Sequence, residues 1–191
     1  MKVIVGITGA TGAVYAARLI DVLISSDCEV HCVASRHGSE VMSYELGEER
    51  TASLLAKVHR VYDPDDMWGA IASGSYRFDA MIVVPCSMKT LAAIACGLSD
   101  SLLLRAADVS LKERRKLILV PRETPYSSIH LKNMLALSEI GVDIVPASPG
   151  FYHRPRTIEQ LVDMFVMRLC DRLGIETELS DRWGAEEADR S

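Results

Sequence analysis

The sequence lacks several features that define other classes of protein. No C-x-x-C pair occurs among its five cysteines, so neither a disulfide framework nor a cysteine zinc site is expected. No apolar run reaches the roughly 18 residues of a membrane span, and the N-terminal run KVIVGI is too short for a secretory signal. We therefore expect a cytoplasmic protein that does not enter a membrane.

An excess of basic residues is also missing. The chain has 21 Lys and Arg against 26 Asp and Glu, a net charge of −5, so nucleic acid is not expected as its partner. A length of 191 residues with 49% apolar and 25% charged residues fits one globular domain. We predict a domain over residues 1–175 and a charged tail over 176–191 that docks over the site or on a neighbouring subunit.

Short apolar runs rich in valine and isoleucine predict buried parallel strands. They are Lys2–Ile7, Ala80–Pro85 and Lys116–Pro121, with weaker candidates at Glu29–Ser35 and Val142–Val145. Helical patterns lie between them, at Ala13–Ser25, Met88–Ala95, Ser127–Ile140 and Thr157–Leu173. Strands that alternate with helices of this length predict an α/β fold with a mostly parallel sheet in a single domain.

The first predicted strand leads into a glycine-rich loop, Gly6-Ile7-Thr8-Gly9-Ala10-Thr11-Gly12, which a helix follows. Glycine permits a tight turn and close approach to a ligand, and the start of a helix offers free N–H groups to an anion. The spacing is not G-x-G-x-x-G, and the second strand ends in Ser35-Arg36 instead of the acid that an NAD ribose needs. The loop favours a mononucleotide such as a flavin over NAD, with a plain strand–helix turn as the alternative.

Polar side chains follow two further predicted strands. After the strand that ends at Pro85 come hydroxyl and cationic residues, Ser87, Lys89 and Thr90. After the strand that ends at Pro121 comes the charged pair Arg122-Glu123. Ligands in open α/β sheets bind outside the carboxyl ends of the strands, so these residues are predicted to face the same crevice as the glycine loop. Arginine suits a phosphate, and a neighbouring glutamate can move a proton.

Four other features have two interpretations each. Cys86 is a nucleophile or a small buried thiol. His153, in the loop FYHRP, is a catalytic base or a structural hydrogen-bonding group. The run Lys112–Lys116 belongs to a basic pocket or is a solvated helix end. The segment Asp63-Pro64-Asp65-Asp66 holds Mg²⁺ or, as we favour, forms a turn and N-cap for a helix over Met67–Ala72.

Four strings together resemble the flavin prenyltransferase family of the UbiX type, within the flavodoxin-like flavoproteins. They are GITGATGAVYAARL at 6–19, SGSYRFDAMIVVPCSMKTLAAIA at 73–95, LLLRAADVSLKERRKLILVPRETP at 102–125 and GFYHRP at 150–155. The strings GATGA and IHLKNMLALSEIG further resemble the branch of this family that accompanies phenolic (hydroxyaryl) acid decarboxylases. The resemblance covers nearly the whole chain and implies a flavodoxin-like or Rossmann-like three-layer fold.

The resemblance also implies a reaction. Reduced FMN and dimethylallyl monophosphate are the implied substrates, and no metal takes part. The dimethylallyl group is joined to N5 and C6 of the flavin, and the product, prenylated FMN, serves a partner decarboxylase of the UbiD type. A large homo-oligomer, a dodecamer, is implied as well. The alternatives are an FMN-dependent phenolic acid decarboxylase subunit and a non-catalytic flavin carrier.

Residue roles follow from the same resemblance. The implied flavin-binding residues are Gly9, Ala10, Thr11, Ser35, Ser87, Met88, Lys89, Thr90 and Arg122. The residues implied to bind dimethylallyl phosphate are Arg105, Lys112, Tyr152, Arg168 and Trp183. Arg122 is expected nearby, so that Lys112, Arg122 and Arg168 together neutralise one phosphate. Glu123 is the implied proton shuttle to the leaving phosphate, and Glu45 and Thr11 are further catalytic residues. Met88-Lys89 interrupts the string typical of peptidyl-cysteine decarboxylases, which argues against direct decarboxylation.

Overall fold

The computed structural model describes residues 1–182, which belong to two compact units. The first unit is Met1–Ala147 and the second begins at Ser148. The predicted domain boundary at residue 175 stays a prediction. Within the described residues, every helix is too short or too polar to cross a membrane.

Six parallel strands in the first unit form one sheet, in the order β3-β2-β1-β4-β5-β6. The strands are β1 (Lys2–Ile7), β2 (Glu29–Ala34), β3 (Arg60–Tyr62), β4 (Ala80–Cys86), β5 (Lys116–Pro121) and β6 (Asp143–Ile144). The chain builds outward from β1 through β2 to β3, then returns to place β4 on the other side of β1. The carboxyl ends of β1 and β4 are therefore a topological switch point, where open α/β sheets bind ligands.

Helices of the first unit cover both faces of this sheet. They are α1 (Ala13–Ser25), α2 (Arg36–Leu46), α3 (Glu48–Leu55), α4 (Met88–Ala95), α5 (Leu102–Lys112) and α6 (Ser128–Glu139). All seven residues of β4 are buried, and successive side chains of a strand point to opposite faces, so neither face of this strand meets solvent. On one face Ile4 and Met81 of the sheet pack with Leu103 and Ala106 of α5 in the main hydrophobic core. The predicted α/β fold is confirmed, and the sheet is parallel throughout.

Most predicted elements form within two residues of their expected bounds, whereas α2, α3, α5 and β3 were missed. Helix α2 and strand β3 show why. Only Gly38 and Met42 of α2 are buried, so this helix has little apolar pattern. Strand β3 has three residues, of which two are exposed. Both segments are stabilised mainly by what they pack against, which a single sequence does not display.

The predicted helix over Met67–Ala72 is wrong. A single 3₁₀ turn forms at Ala70–Ala72. The Asp63 carboxylate accepts a hydrogen bond from the N–H of Asp65 at 2.9 Å, and the Asp66 carboxylate accepts one from Trp68 at 3.1 Å. These side chains close turns of the backbone, as expected for the favoured interpretation, but only the short 3₁₀ turn and no α-helix follows them.

The second unit contains one helix among its described residues, α7 (Ile158–Leu173). Its N-cap is Thr157, as predicted, whose hydroxyl accepts a hydrogen bond from the N–H of Gln160. The helix ends at Gly174 in the left-handed conformation, with φ 75°, which favours glycine. Trp183, predicted to cover the site, lies outside the described residues.

Candidate active site

Thr8 ties the two central loops together at the switch point. The Thr8 hydroxyl donates to the Pro85 carbonyl oxygen at 2.9 Å and accepts from the N–H of Ser87 at 2.7 Å. Only 1% of Thr8 is exposed, so these hydrogen bonds are shielded from water. Losing one would leave a buried polar group unsatisfied and would destabilise the fold. The end of β1 and the end of β4 are thus fixed relative to each other. The sequence indicates Thr8 only as part of the loop, and this role was missed.

The glycine-rich loop has small residues and open space beside the hydrogen bonds of Thr8. A Cβ added at Gly9 would lie 2.6 Å from the Cβ of His37, so no larger residue fits without displacing α2. Gly12 has φ 109°, a conformation that side chains disfavour, and precedes the first residue of α1. Gly9 and Thr11 are exposed, and Ala10 between them is buried. Small side chains therefore border the crevice, which suits a flat ligand.

Glu45 occupies the start of α1. Its carboxylate accepts hydrogen bonds from the N–H of Gly12 at 3.0 Å and of Ala13 at 2.7 Å. These are the free N–H groups that the sequence predicts for a bound anion, so a side chain of α2 takes the place expected for that anion. The structure thus brings Glu45 to the glycine loop, and the catalytic role that the resemblance implies for it stays a prediction.

Ser35 and Ser87 begin the helices that follow β2 and β4. The Ser35 hydroxyl accepts from the N–H of Gly38 at 3.1 Å, and the Ser87 hydroxyl accepts from the N–H of Thr90 at 3.3 Å. Each serine is thus an N-cap, which explains its position by helix stability alone. The Ser87 hydroxyl also donates to the Thr90 hydroxyl at 3.1 Å. Beside them Met88 is buried and Lys89 is exposed.

Arg122 and Glu123 leave β5 at the same edge of the sheet. The N–H of Arg122 donates to the Cys86 carbonyl oxygen at 3.3 Å, which attaches this loop to the end of β4. The Glu123 carboxylate accepts from the N–H of Thr124 at 3.0 Å. Arg122 is exposed, and no carboxylate within residues 1–182 forms an ion pair with it. Its charge is therefore available to a ligand.

The positive charge of Arg122 affects the pKa of Tyr15, a residue of α1. Burial raises the pKa of the Tyr15 hydroxyl, and the positive charge of Arg122 opposes this rise. The Tyr15 ring also lies against Gly12, where an added Cβ would come within 3.1 Å of it. The charge of Arg122 therefore acts on a residue that adjoins the glycine loop. The crevice shared by Arg122 and this loop stays a prediction. Tyr15 itself was missed, because nothing distinguishes it from other residues of an amphipathic helix.

Cys86 is a buried thiol rather than a nucleophile. It is 0% exposed, and burial raises its pKa to about 12. A thiol in this environment carries almost no thiolate at neutral pH, and the thiolate is the reactive form. Of the two interpretations of Cys86, the small buried thiol is confirmed.

Arg105 and Lys112 lie in a different place from the crevice. They line a separate cavity of about 640 Å³ with Trp68 and Ser73, and each is paired with a nearby acid. Arg105 binds Asp108 at 2.7 Å, and Lys112 binds Glu113 at 2.8 Å.

The fold keeps Lys112 away from Arg122 within one copy of the chain. Lys112 ends α5 just before β5 begins, whereas Arg122 follows the last residue of β5. The six residues of β5 span roughly 20 Å at the usual rise of a strand. The expectation that both cations meet on one phosphate is therefore not met by a single copy.

The described part of the second unit carries two further residues implied to bind dimethylallyl phosphate, Arg168 and Tyr152. Arg168 of α7 has 64% of its side chain exposed and lies 3.3 Å from Asp171. Arg182 makes a two-pronged contact with the same carboxylate, at 2.8 and 3.2 Å, and its hydrogen bonds lower the pKa of Asp171. Tyr152 is exposed, and its ring lies 4.3 Å from that of His153 between centroids.

A parallel sheet with a polar, glycine-lined crevice at its switch point defines the nucleotide- and flavin-binding class of α/β proteins. The family model named Flavoprotein matches residues 1–170 of the chain. The flavin prenyltransferase UbiX of Methanocaldococcus jannaschii is 46% identical, over 96% of this chain and 99% of that protein. The chain therefore belongs to the flavoprotein family and, within it, to the flavin prenyltransferases of the UbiX type.

Two solved structures extend this similarity to three dimensions. The complex of AnUbiX (PadA1) with FMN and dimethylallyl pyrophosphate has a TM-score of 0.92 and 43% identity, covering 95% of this chain and 96% of that one. The dodecameric FMN-dependent UbiX-like decarboxylase from Escherichia coli O157:H7 has a TM-score of 0.92 and 47% identity, covering 96% and 99%. The flavodoxin-like fold implied by the resemblance is thus confirmed over nearly the whole chain.

Proposed function

We propose that this enzyme joins the dimethylallyl group of dimethylallyl monophosphate to N5 and C6 of reduced FMN, and that the prenylated FMN serves a UbiD-type decarboxylase. Its membership in the flavin prenyltransferases supports the class of reaction. The proposal rests mainly on Arg122, whose exposed guanidinium has no acidic partner in residues 1–182. This residue lies at the edge of the crevice that the glycine-rich loop borders.

The residues at the switch point fit FMN. Gly9 and Thr11 are exposed and leave room for a flat ring. We propose that the ring lies beside the N-termini of α2 and α4, where Ser35 and Ser87 are the N-caps. We propose that this loop, with Ala10, Met88, Lys89, Thr90 and Arg122, binds the cofactor. FMN, when bound in its reduced form, supplies the ring atoms that accept the dimethylallyl group. The chain orients the two substrates and keeps water away from them.

Arg122 is proposed to hold the phosphate of the prenyl substrate. A monophosphate leaves slowly unless its charge is neutralised, and a guanidinium binds it with two parallel hydrogen bonds. A cation that is fixed before the reaction costs no reorganisation when charge develops on the leaving group. Tyr152, Arg168 and Trp183 enter the proposal through their resemblance to family positions alone.

Lys112 and Arg105 are proposed to act across a contact between copies. Within one copy Lys112 lies at the amino edge of the sheet, so it serves an Arg122 phosphate site only if a neighbouring copy brings it there. The relative from Escherichia coli is a dodecamer, which supports an assembly of this kind. We propose that this chain is likewise a homo-oligomer with shared sites.

Glu45 is proposed as a positioning residue. Its carboxylate is bound by the N–H groups of Gly12 and Ala13, so it holds the glycine loop in shape beneath the flavin. Glu123 is the proposed proton carrier, because it follows Arg122 directly in the chain and is a half-buried residue at the same edge of the sheet. Thr11 presents an exposed hydroxyl on the loop and stays a catalytic candidate.

Helix α6 offers the apolar surface that such an assembly needs. Three apolar residues of the helix are more than half exposed, Ile129 at 66%, Leu131 at 54% and Leu135 at 61%. The C-cap residue, Ile140, is exposed by 63%. Only Leu137 of this helix is buried. An exposed apolar patch of this kind marks an interaction surface.

Leu135→Asp should therefore weaken the assembly. Burying a leucine stabilises a contact by about 1.5–3 kcal/mol, and a buried unpaired carboxylate destabilises it further. Light scattering after size exclusion should show a lower mass than wild type, with an unchanged circular dichroism spectrum. Ser53→Asp, which adds the same charge to exposed α3, is the matched control. An unchanged mass for Leu135→Asp would remove α6 from the interface.

One assay separates the proposed reaction from its alternatives. The protein is incubated without oxygen with reduced FMN and dimethylallyl monophosphate, and the released small molecules are weighed by mass spectrometry. We expect FMN to gain one five-carbon dimethylallyl group. Unchanged FMN would indicate a carrier, and turnover of a phenolic acid by the protein alone would indicate a decarboxylase. Dimethylallyl pyrophosphate in a parallel reaction tests the preference for the monophosphate.

A further inference from the structure

A second polar cluster lies at the opposite edge of the sheet from the crevice. It consists of Glu29 and His31 of β2 and His59, which precedes β3. The backbone N–H of His59 donates to the Val30 carbonyl oxygen at 2.9 Å, and this bond places the His59 ring beside β2. Residues 29 and 31 are two apart on one strand, so their side chains share a face.

The three side chains are close enough to bind one ion. The Glu29 carboxylate oxygen Oε1 lies 2.8 Å from Nε2 of His31 and 3.5 Å from Nε2 of His59. One ligand atom from each residue lies within 4.8 Å of the other two. Atoms bound to one tetrahedral zinc ion at about 2.0–2.2 Å lie roughly 3.3–3.6 Å apart. Shifts of a few tenths of an ångström to at most about 1.5 Å therefore complete the geometry.

His31 is held by an outer hydrogen bond as metal-binding histidines usually are. Its side chain is 2% exposed, and its Nδ1 lies 3.1 Å from the Tyr62 hydroxyl. The other ring nitrogen, Nε2, lies 2.8 Å from Oε1 of Glu29 and 3.2 Å from the Tyr76 hydroxyl, which an ion bound to Nε2 would displace. The His59 ring lies beside it, with 5.1 Å between the two ring centroids. Such outer partners fix the orientation and tautomer of the ring.

We infer that Glu29, His31 and His59 form a binding site for a divalent transition-metal ion of the zinc type. Two imidazoles and one carboxylate are a ligand set that Zn²⁺ accepts, with water at the fourth position. The site joins β2 to the segment before β3 and is separate from the flavin chemistry. The sequence did not reveal it, because His31 and His59 are 28 positions apart and match no metal-binding spacing.

Lys2 competes with the metal ion for the Glu29 carboxylate. Its ammonium lies 2.9 Å from Glu29 Oε1 and donates to the Tyr76 hydroxyl at 2.9 Å, so it neutralises the carboxylate in the metal-free protein. Its flexible stem allows the ammonium to leave, since a quarter of the side chain is exposed. Removing this charge should therefore tighten metal binding, while removing a ligand should weaken it.

Two variants with opposite expected effects test the site. Untagged protein is titrated with Zn²⁺ by calorimetry, and bound zinc is counted by elemental analysis after dialysis. We expect one ion per chain, at least tenfold weaker binding in His59→Gln, and tighter binding in Lys2→Met. His59 has 58% of its side chain exposed, so its replacement should leave the fold intact. His37→Gln, which removes an exposed imidazole elsewhere, should change nothing.

Co²⁺ provides a second measurement, since its visible spectrum reports a four-coordinate environment that binding at scattered surface groups does not give. Uptake of zinc that is equal in wild type and His59→Gln would overturn the inference. So would the absence of uptake by both wild type and Lys2→Met, which would leave the cluster as an ion-pair network only.

Discussion

Arg122→Ala should lower kcat/KM for dimethylallyl monophosphate by roughly 10²–10³, the loss seen when one preorganised donor to a developing negative charge is removed. This corresponds to about 3–4 kcal/mol of transition-state stabilisation. The effect should be large because Arg122 has no acidic partner in the described residues whose release could compensate. Anaerobic turnover followed by mass spectrometry measures it. Arg50→Ala on exposed α3 is the control, with an expected rate within twofold of wild type.

Mixed assemblies extend this test to the proposed sharing of sites between copies. Lys112→Ala and Arg122→Ala should each be slow alone, because each lacks one cation of every site. Co-assembled from separately prepared variants, they should regain part of the wild-type rate, since some sites then receive Arg122 from one copy and Lys112 from another. A rate for Arg122→Ala within about threefold of wild type would remove it from the phosphate site. No recovery in a verified mixed oligomer would place Lys112 outside that site.

The sequence predicted the central elements well because their patterns are local. Strands β1 and β5 form at their predicted bounds, because short apolar runs rich in valine, isoleucine and leucine favour buried strands. Helix α1 likewise begins and ends where its amphipathic pattern does. The N-caps Ser87 and Thr157 are short-range signals of the same kind.

The parts that the sequence did not predict depend on contacts between distant segments. The hydrogen bond from Thr8 to Pro85 joins residues 77 positions apart, and the bonds from Glu45 to the start of α1 span more than 30. In each case a common polar residue has a special role only because the fold brings its partner near. The separation of Lys112 from Arg122 has the same origin, since it follows from the direction of β5.

The resemblance and the geometry therefore answer different questions about the same residues. Similarity of residues assigned Lys112 and Arg122 to one phosphate, and the fold shows that a single copy cannot bring them together. The two agree only if the functional unit contains more than one copy. The exposed apolar side chains of α6 give an independent physical reason to expect such a unit.

Glu123→Gln should separate proton transfer from binding. Gln keeps the shape of the side chain, and its oxygen still accepts the hydrogen bond from the N–H of Thr124. It cannot give up or take a proton at the leaving phosphate, so prenylation should slow by roughly 10²–10⁴, the usual contribution of general acid–base catalysis. FMN and dimethylallyl monophosphate should bind as in wild type. Single-turnover kinetics at saturating substrate measure the rate of the bound complex directly.

The competing explanation is that Glu123 only orients Arg122. That role predicts weaker substrate binding in Glu123→Gln and a nearly unchanged rate once both substrates are bound. The structure gives it little support, because Glu123 and Arg122 form no ion pair and the Glu123 carboxylate is bonded to its own loop instead. Glu49→Gln, on exposed α3, controls for the loss of one negative charge. A wild-type single-turnover rate in Glu123→Gln would remove this residue from the catalytic set, whereas a slow rate with intact binding identifies it as the proton carrier.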